Sequence, residues 1–217
     1  MNKDMDKDRR RRILTIVTLI LGTIVVALGY ATLSDSLAIS TSATVNPDTS
    51  LFSVVFSSDA NSVIENPIVP TLNKTAPLFT ATSGTINNTN TPIIENMHVT
   101  FTEPGQSVTY KAYAHNTGKY LAYLKSITFS GTKTCTPKSG TSPNLVASAC
   151  NGITFSVKVG KEAATSTSVS SITNHLLYEN YIDEITVVIT YETGSQIADG
   201  DFDVTLPNVS LSYDSAD

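Results

Sequence analysis

EPGQSVTYKAYAHNTGKYLAYLKSITF, residues 103 to 129, has the clearest β-pattern in this 217-residue chain. Pro104-Gly105 is typical of a type II turn, because proline fixes φ at the first corner and glycine accepts a positive φ at the second. The next residues alternate, so that one face of a strand is predicted to be buried and the other exposed. The buried set is Val108, Tyr110, Ala112 and Ala114, and the exposed set is Thr109, Lys111, Tyr113 and His115. Asn116-Thr117-Gly118 then predicts a reversal into an adjacent antiparallel strand, Tyr120 to Phe129.

Short apolar or alternating runs separated by turn residues fill the rest of the chain after residue 34. Eight to ten such strands predict a mainly β domain, a single antiparallel Ig-like or jelly-roll β-sandwich. Pro207-Asn208 indicates a bulge or a strand that changes sheets. A weak helical pattern near Ile172 to Tyr178 is interpreted as a turn or loop. The other predicted strands are Leu37 to Val45, Leu51 to Phe56, Leu78 to Thr82, Met97 to Thr102, Ile153 to Val159, Ile182 to Tyr191, Phe202 to Leu206 and Val209 to Tyr213.

Ahead of this domain lies an uncharged apolar stretch, Ile13 to Leu33, which is long enough for a helix that crosses a bilayer. Arg9, Arg10, Arg11 and Arg12 precede it. By the positive-inside bias, residues 1–12 form a basic cytoplasmic tail, residues 13–33 a transmembrane signal-anchor, and residues 34–217 an extracellular domain. The predicted location is the cell membrane, with a single pass and with lipid as a partner of the helix.

Cleavage of this segment is an open alternative. Its length favours an uncleaved anchor, because the apolar core of a secretory signal is usually shorter. Small residues at the spacing that a signal peptidase reads lie near its end, and they allow cleavage after Ala31 to leave Thr32 as the first residue. A cleaved chain would be secreted.

The charge of the exported part excludes nucleic acid as a partner. The tail holds six Lys or Arg against three Asp, whereas residues 34–217 hold eight Lys against sixteen Asp or Glu and contain no Arg. A nucleic-acid binder needs a concentrated basic face. We therefore expect protein or matrix contacts, or self-assembly, instead.

The two cysteines, Cys135 and Cys150, lie beyond the predicted membrane segment and are expected to form a disulfide. The residues between them include two Pro, one Gly and several Ser, which predict a loop. No large apolar residue adjoins either cysteine. We therefore expect the bridge to clamp a surface flap and not to join two sheets.

Two groups of side chains are candidate sites. Asp199, Asp201 and Asp203 alternate along the chain, and such a row could bind Ca²⁺. The preferred interpretation is that they face outward together from a strand whose inward residues are Phe202 and Val204, so no metal site is predicted. Tyrosines at positions 110, 113, 120 and 123 could form a recognition surface, although β-propensity alone explains aromatic residues there. No cofactor is predicted.

Two passages resemble exported bacterial proteins. ALGYATLSDSLAISTSATV, Ala27 to Val45, resembles the membrane junction of short Gram-positive exported proteins, including TasA-type biofilm fibre proteins and camelysin. Pro104 to Ile127 resembles the Ig-like modules of bacterial surface proteins, and FDVTLPNVSLSY, Phe202 to Tyr213, is similar to the last strands of single-domain members of these groups. The resemblance implies a membrane-tethered or secreted β-sandwich of the cell surface.

We therefore expect a structural or adhesive surface protein that is not an enzyme. One alternative is a secreted biofilm-type fibre subunit released by signal cleavage. Another is an exported metallopeptidase like camelysin, which the sequence disfavours because it contains no H-E-x-x-H and because His98, His115 and His175 are isolated from one another.

Overall fold

The computed structural model describes residues 51–215 except residues 90, 166, 167, 170, 171, 173 and 174. Within this part of the chain the fold is mainly β, with antiparallel sheets and one short helix, as the alternating sequence pattern predicted. None of the described helices is long and apolar enough to cross a membrane. The predicted anchor, residues 13–33, lies outside the described residues, and so does the predicted strand Leu37 to Val45.

The described strands form three sheets. The first sheet has the order β1-β7-β13-β10-β11, with β2 also paired to β7; the second has the order β12-β8-β15-β5-β4; the third has the order β3-β6-β14-β9. The element bounds are β1 Val54–Ser57, β2 Thr71–Leu72, β3 Thr80–Ala81, β4 Thr85–Asn87, β5 Ile93–Glu95, β6 His98–Phe101, β7 Ser107–Asn116, β8 Ala122–Ser130, β9 Thr134–Pro137, α1 Pro143–Cys150, β10 Ile153–Val159, β11 Glu162–Thr165, β12 Leu176–Leu177, β13 Ile182–Tyr191, β14 Phe202–Thr205 and β15 Asn208–Ser215.

Three stretches of chain each contribute one strand to the second sheet and one strand to the third sheet, with a short break between the two strands. The pairs β5 and β6, β8 and β9, and β14 and β15 are each separated by only two or three residues, and the three pairs keep the same neighbours in both sheets. Pro207 lies at one of these breaks, where the missing N–H cannot continue a ladder. The predicted change of sheet at Pro207-Asn208 is therefore observed.

The core lies between the first sheet and the other two. In β7 the predicted inward residues Val108, Tyr110, Ala112 and Ala114 are all buried. Phe101 of the third sheet contacts the rings of Phe79, Tyr191 and Phe202, with centroid separations of 5.8, 5.9 and 6.3 Å. Phe129 of the second sheet meets Phe155 of the first edge to face at 5.0 Å. These aromatic contacts join strands that are far apart in sequence.

The predicted pairing of β7 with the strand that follows it is wrong. β7 pairs with β13 and β1, whereas β8 pairs with β15 and β12 in another sheet. The buried side chain of Asn116 explains the crossing, because its amide nitrogen donates to the carbonyl oxygens of Tyr120 at 2.8 Å and Leu177 at 3.0 Å. The turn is thereby fixed as a link between sheets and not as a hairpin.

Two further local predictions fail. His115 was expected to be exposed but is buried, because the loop after β1 covers it and its Nε2 lies 2.9 Å from the carbonyl oxygen of Asp59. The segment between the cysteines contains α1, with Pro143 in its first turn and Val146 and Ala149 buried three residues apart. Proline in the first turn and apolar residues at i and i+3 are helix signals, and the loop prediction gave them too little weight.

Candidate functional site

A polar groove lies on the outer face of the third sheet and has a volume of about 460 Å³. Alternation along the four strands turns Phe101, Phe202 and Val204 into the core and leaves the intervening polar side chains on the other face. The strand register then aligns Thr80, Thr100, Asp203 and Thr136 across the sheet. The lining residues are Thr80, Thr82, His98, Val99, Thr100, Thr136, Lys138, Asp203 and Thr205.

The centre of this groove is a hydrogen-bonded trio. Asp203 Oδ1 accepts from Thr100 Oγ1 at 2.6 Å and lies 3.3 Å from Lys138 Nζ, which is also 3.3 Å from Thr100 Oγ1. The side chains of Lys138 and Asp203 keep 44% and 48% of their surface exposed, so both can reach a bound molecule. His98 Nδ1 lies 3.0 Å from Thr205 Oγ1 beside the trio.

This arrangement is suited to binding through hydrogen bonds. A hydroxyl both donates and accepts, an ammonium group only donates, and an ionised carboxylate only accepts. The groove presents all three kinds of group on one rigid sheet. A ligand rich in hydroxyl groups could use each of them.

A second groove of about 550 Å³ lies beside β4 and β5 but is a weaker candidate. Its Asn88 side chain accepts from Phe56 N at 2.8 Å and donates to Phe56 O at 2.9 Å. Its Asn66 side chain accepts from Ile86 N at 2.5 Å. These side-chain amides form hydrogen bonds with the backbone of neighbouring strands, so their role is to stabilise the fold.

The structure separates the three predicted acidic candidates. Asp199 Oδ1 accepts from the backbone N–H of Ser142 at 2.8 Å, just before α1, whereas Asp203 lies in the polar groove. At Asp201 it is the backbone carbonyl that accepts, from Thr141 Oγ1 at 3.0 Å. Across the described ranges no group of three or more His, Cys, Asp or Glu residues is placed to hold a metal ion.

The predicted disulfide between Cys135 and Cys150 is present, with 6.0 Å between the Cα atoms. Cys135 lies in β9 at an edge of the third sheet, and Cys150 ends α1 just before β10 of the first sheet. Lys133 Nζ donates to the carbonyl oxygens of Cys150 at 2.7 Å and Ile153 at 2.5 Å, which satisfies acceptors after the helix. The bridge therefore ties the edge strand of the third sheet to the end of α1 and does not join two sheets directly; the segment that it closes contains a packed helix where a loop was expected.

Another cluster, His175, Asp183 and Tyr213, joins the layers at the opposite end of β13. His175 is buried, its Nε2 lies 2.7 Å from Asp183 Oδ2, and Tyr213 Oη donates to the same oxygen at 3.2 Å. Burial raises the pKa of Tyr213 well above its usual value, and the charge of Asp183 raises it further. Sequence reasoning missed this cluster because no motif links its members and because Tyr213 lies 30 residues from Asp183 along the chain.

The free energy of unfolding is expected to fall above about pH 10, which is the ordinary pKa of tyrosine. Burial raises the pKa of Tyr110, Tyr191 and Tyr213, so these phenols keep their protons in the folded chain while the unfolded chain releases them. The stabilisation is complete below pH 10 and is lost as the pH rises through the folded values. Urea unfolding at pH 9, 10 and 11 measures how steeply the free energy of unfolding falls with pH.

For Tyr213 alone, the free energy of unfolding is expected to fall by about 1.4 kcal/mol per pH unit. The Tyr213→Phe variant should start from a lower stability, because it loses the hydrogen bond to Asp183, and should then fall less steeply. Equal slopes for the variant and the parent chain above pH 10 would contradict the assignment.

The predicted tyrosine surface is also divided. Tyr110 is buried and donates from its hydroxyl to Thr82 O at 2.9 Å, whereas Tyr120 is exposed. Tyr178 and Tyr181 are exposed as well, and they stand on either side of a turn whose third residue, Asn180, has φ of 61°. The hydrogen bond from Tyr181 N to Tyr178 O at 3.0 Å closes this turn, which directly follows the segment Ile172 to Tyr178 that was interpreted as a turn or loop.

The topology residues Arg9, Arg10, Arg11 and Arg12 and the cleavage candidates Ala31 and Thr32 lie outside the described residues, so their roles stay predictions. Comparison with models of protein families, with curated proteins and with solved structures finds no match to this chain.

Proposed function

We propose that this chain is a single-pass surface protein that presents a β-sandwich outside the cell and binds hydroxyl-rich matrix polymers. Residues 13–33 anchor it, residues 1–12 stay in the cytoplasm, and residues 34–217 are exported. The apolar length of the anchor and the four arginines before it support this topology.

The strand order supports a jelly roll as the finer fold class. We number eight strands in chain order as β5/β6, β7, β8/β9, β10, β11, β12, β13 and β14/β15. Successive strands alternate between the two layers, except that the fourth and fifth lie in the same layer. One layer then has the order first, eighth, third and sixth, and the other has the order second, seventh, fourth and fifth. This double Greek key is the arrangement of jelly rolls, with β1 to β4 added at the edges.

The observation that carries the function is the polar groove on the third sheet. It combines threonine hydroxyls with the Lys138 ammonium and the Asp203 carboxylate, all supported by ladder hydrogen bonds beneath them. Sugar hydroxyls both donate and accept, so they match this mixture better than an apolar or singly charged ligand does. The proposed ligand is therefore a glycan chain.

A binding role is further supported by the contacts of the histidines. His98 contacts Thr205, His115 contacts the carbonyl of Asp59, and His175 contacts Asp183. Each of these contacts helps to hold strands or loops together. The histidines are therefore proposed to stabilise the structure, and no catalytic step is proposed for them.

Affinity electrophoresis of the purified chain through gels that contain dextran, alginate or chitosan tests the proposal. Retardation by at least one polymer is expected, and Asp203→Asn together with Lys138→Met should weaken it about 10-fold or more, since a hydrogen bond to a charged group contributes roughly 1.5–3 kcal/mol. Glu95→Gln, in the second groove, is the matched control and should leave retardation unchanged. Equal retardation of parent and double variant would refute the groove as the binding site.

A further inference from the structure

A cluster of exposed apolar side chains occupies one end of the described domain. We call it the tyrosine patch: Tyr120, Leu176, Tyr178, Tyr181 and Ile182, each of which keeps between 40% and 66% of its surface exposed. The rings of Tyr178 and Tyr181 contact each other edge to face at 5.9 Å. Exposed apolar side chains are common singly, but a cluster of this kind marks an interaction surface.

The patch is held in place by the buried Asn116. Its side-chain amide donates to the carbonyls of Tyr120 and Leu177, and its backbone N–H donates to Tyr181 O at 3.1 Å. The backbone of Asn180 returns a bond to Asn116 O at 3.0 Å. One buried residue thus bonds to both stretches of chain that contribute to the patch, Tyr120 and residues 176–182, so the patch is a fixed surface and not a set of loose loops.

The described chain enters the domain beside this patch. The backbone N–H of Tyr120 donates to Leu51 O at 2.8 Å, and the N–H groups of Thr117 and Gly118 donate to Ser53 O at 2.9 and 3.1 Å. The predicted anchor ends at Leu33, so seventeen residues of sequence separate it from Leu51.

We propose that the tyrosine patch docks on the headgroup region of the bilayer that holds the anchor; this inference rests on the proposed topology. Tyrosine places an apolar ring among acyl chains and a hydroxyl among headgroups, which is why it concentrates at both faces of membranes. The nearest exposed charges along the chain, Lys119 and Glu179, are one of each sign. The patch therefore avoids the net negative charge that the exported part carries elsewhere.

Docking at this end would turn the polar groove away from the membrane. β13 begins at Ile182, in the patch, and ends at Tyr191, which contacts Phe101 and Phe202 of the third sheet. Ten extended residues cover about 30 Å. The patch thus lies at one end of β13, and the groove lies on the sheet that packs against the other end, so lipid contact at the patch leaves the groove exposed to the matrix.

The sequence contains no tryptophan, so one introduced indole reports its own surroundings. The test uses the full chain reconstituted in phosphatidylcholine–phosphatidylglycerol vesicles with brominated acyl chains, which quench nearby indoles. Y181W places the reporter in the patch, and Y178W is a second reporter in case the first variant folds poorly. I197W is the matched control, because Ile197 is similarly exposed, at 61%, but follows the far end of β13.

Quenching of about twofold or more is expected for Y181W and Y178W and none for I197W, since interfacial side chains sit within several ångströms of the acyl boundary. Flotation of the vesicles is measured on the same samples. If the chain floats with the vesicles and the patch reporters are not quenched, the docking inference is overturned while the anchor stands. If the chain does not float, the anchor fails and the inference fails with it.

A contact between two copies of the chain gives a different result. The indole emission would then shift with protein concentration and would not respond to bromine in the acyl chains. That outcome also overturns lipid docking.

Discussion

Replacement of Phe101 by alanine is expected to lower the free energy of unfolding by about 3–5 kcal/mol, the usual loss for a buried aromatic residue. Phe101 is fully buried at the centre of the aromatic cluster with Phe79, Tyr191 and Phe202. Its ring contacts the first sheet from the third, so the cavity would open between layers. Urea unfolding followed by circular dichroism measures the loss.

Tyr120→Ala is the control for the size of the residue removed. Its ring is 44% exposed and lies outside the core, so the expected loss stays within about 1 kcal/mol. Phe101→Leu should retain much of the stability, because it leaves a smaller cavity. A loss below about 1 kcal/mol for Phe101→Ala would mean that the third sheet does not pack on the first as described.

Asn116→Ala is the second change with a large expected effect. The variant loses two side-chain donors to buried carbonyls and one acceptor, since Asn116 Oδ1 also receives the N–H of Gly118 at 3.1 Å. The Gly118 N–H keeps its bond to Ser53 O, so the groups left without the amide are the carbonyls of Tyr120 and Leu177. A buried group left without a partner costs roughly 1–3 kcal/mol, so the expected total is at least about 2 kcal/mol. Unfolding in urea and hydrogen exchange at residues 117–121 and 176–181 both report it.

The neighbouring Thr117 provides the matched control. Its exposed hydroxyl donates to Ser53 Oγ at 3.0 Å, and Thr117→Ala should cost no more than about 1 kcal/mol. If Asn116→Ala costs no more than Thr117→Ala, the crossing between β7 and β8 does not depend on the amide. Rapid exchange confined to the patch segments would instead locate the effect where the hydrogen bonds predict it.

Period-two alternation made most long strands predictable. β7, β10 and β13 match it closely, and β13 has the predicted bounds, Ile182 to Tyr191. Gly105 has φ of 85°, as the Pro-Gly turn required. These features depend only on neighbours along the chain, and so the sequence reveals them.

Strand partners were not predictable in the same way. The choice between a hairpin and a crossing after Asn116 depends on a carbonyl at Leu177, sixty-one residues away. The polar groove was unpredictable for the same reason, because the strands that form it, β3, β6, β9 and β14, come from four separate segments of the chain. Its threonines could be assigned to one face of each strand from alternation, but no local pattern indicated that these strands are neighbours.

The pairing of β1 with β7 also determines how the domain responds to mechanical force. If a bound matrix polymer pulls against the proposed anchor, tension would reach β1 from its N-terminal side and pass along its axis. Ladder hydrogen bonds run across the strands, so such a pull loads the four register pairs from Val54 to Ser57 together and does not open them one at a time. The bonds from Thr117, Gly118 and Tyr120 to Ser53 and Leu51 bear the load first. Under the proposed topology, β1 would therefore act as a shear joint at the start of the described domain.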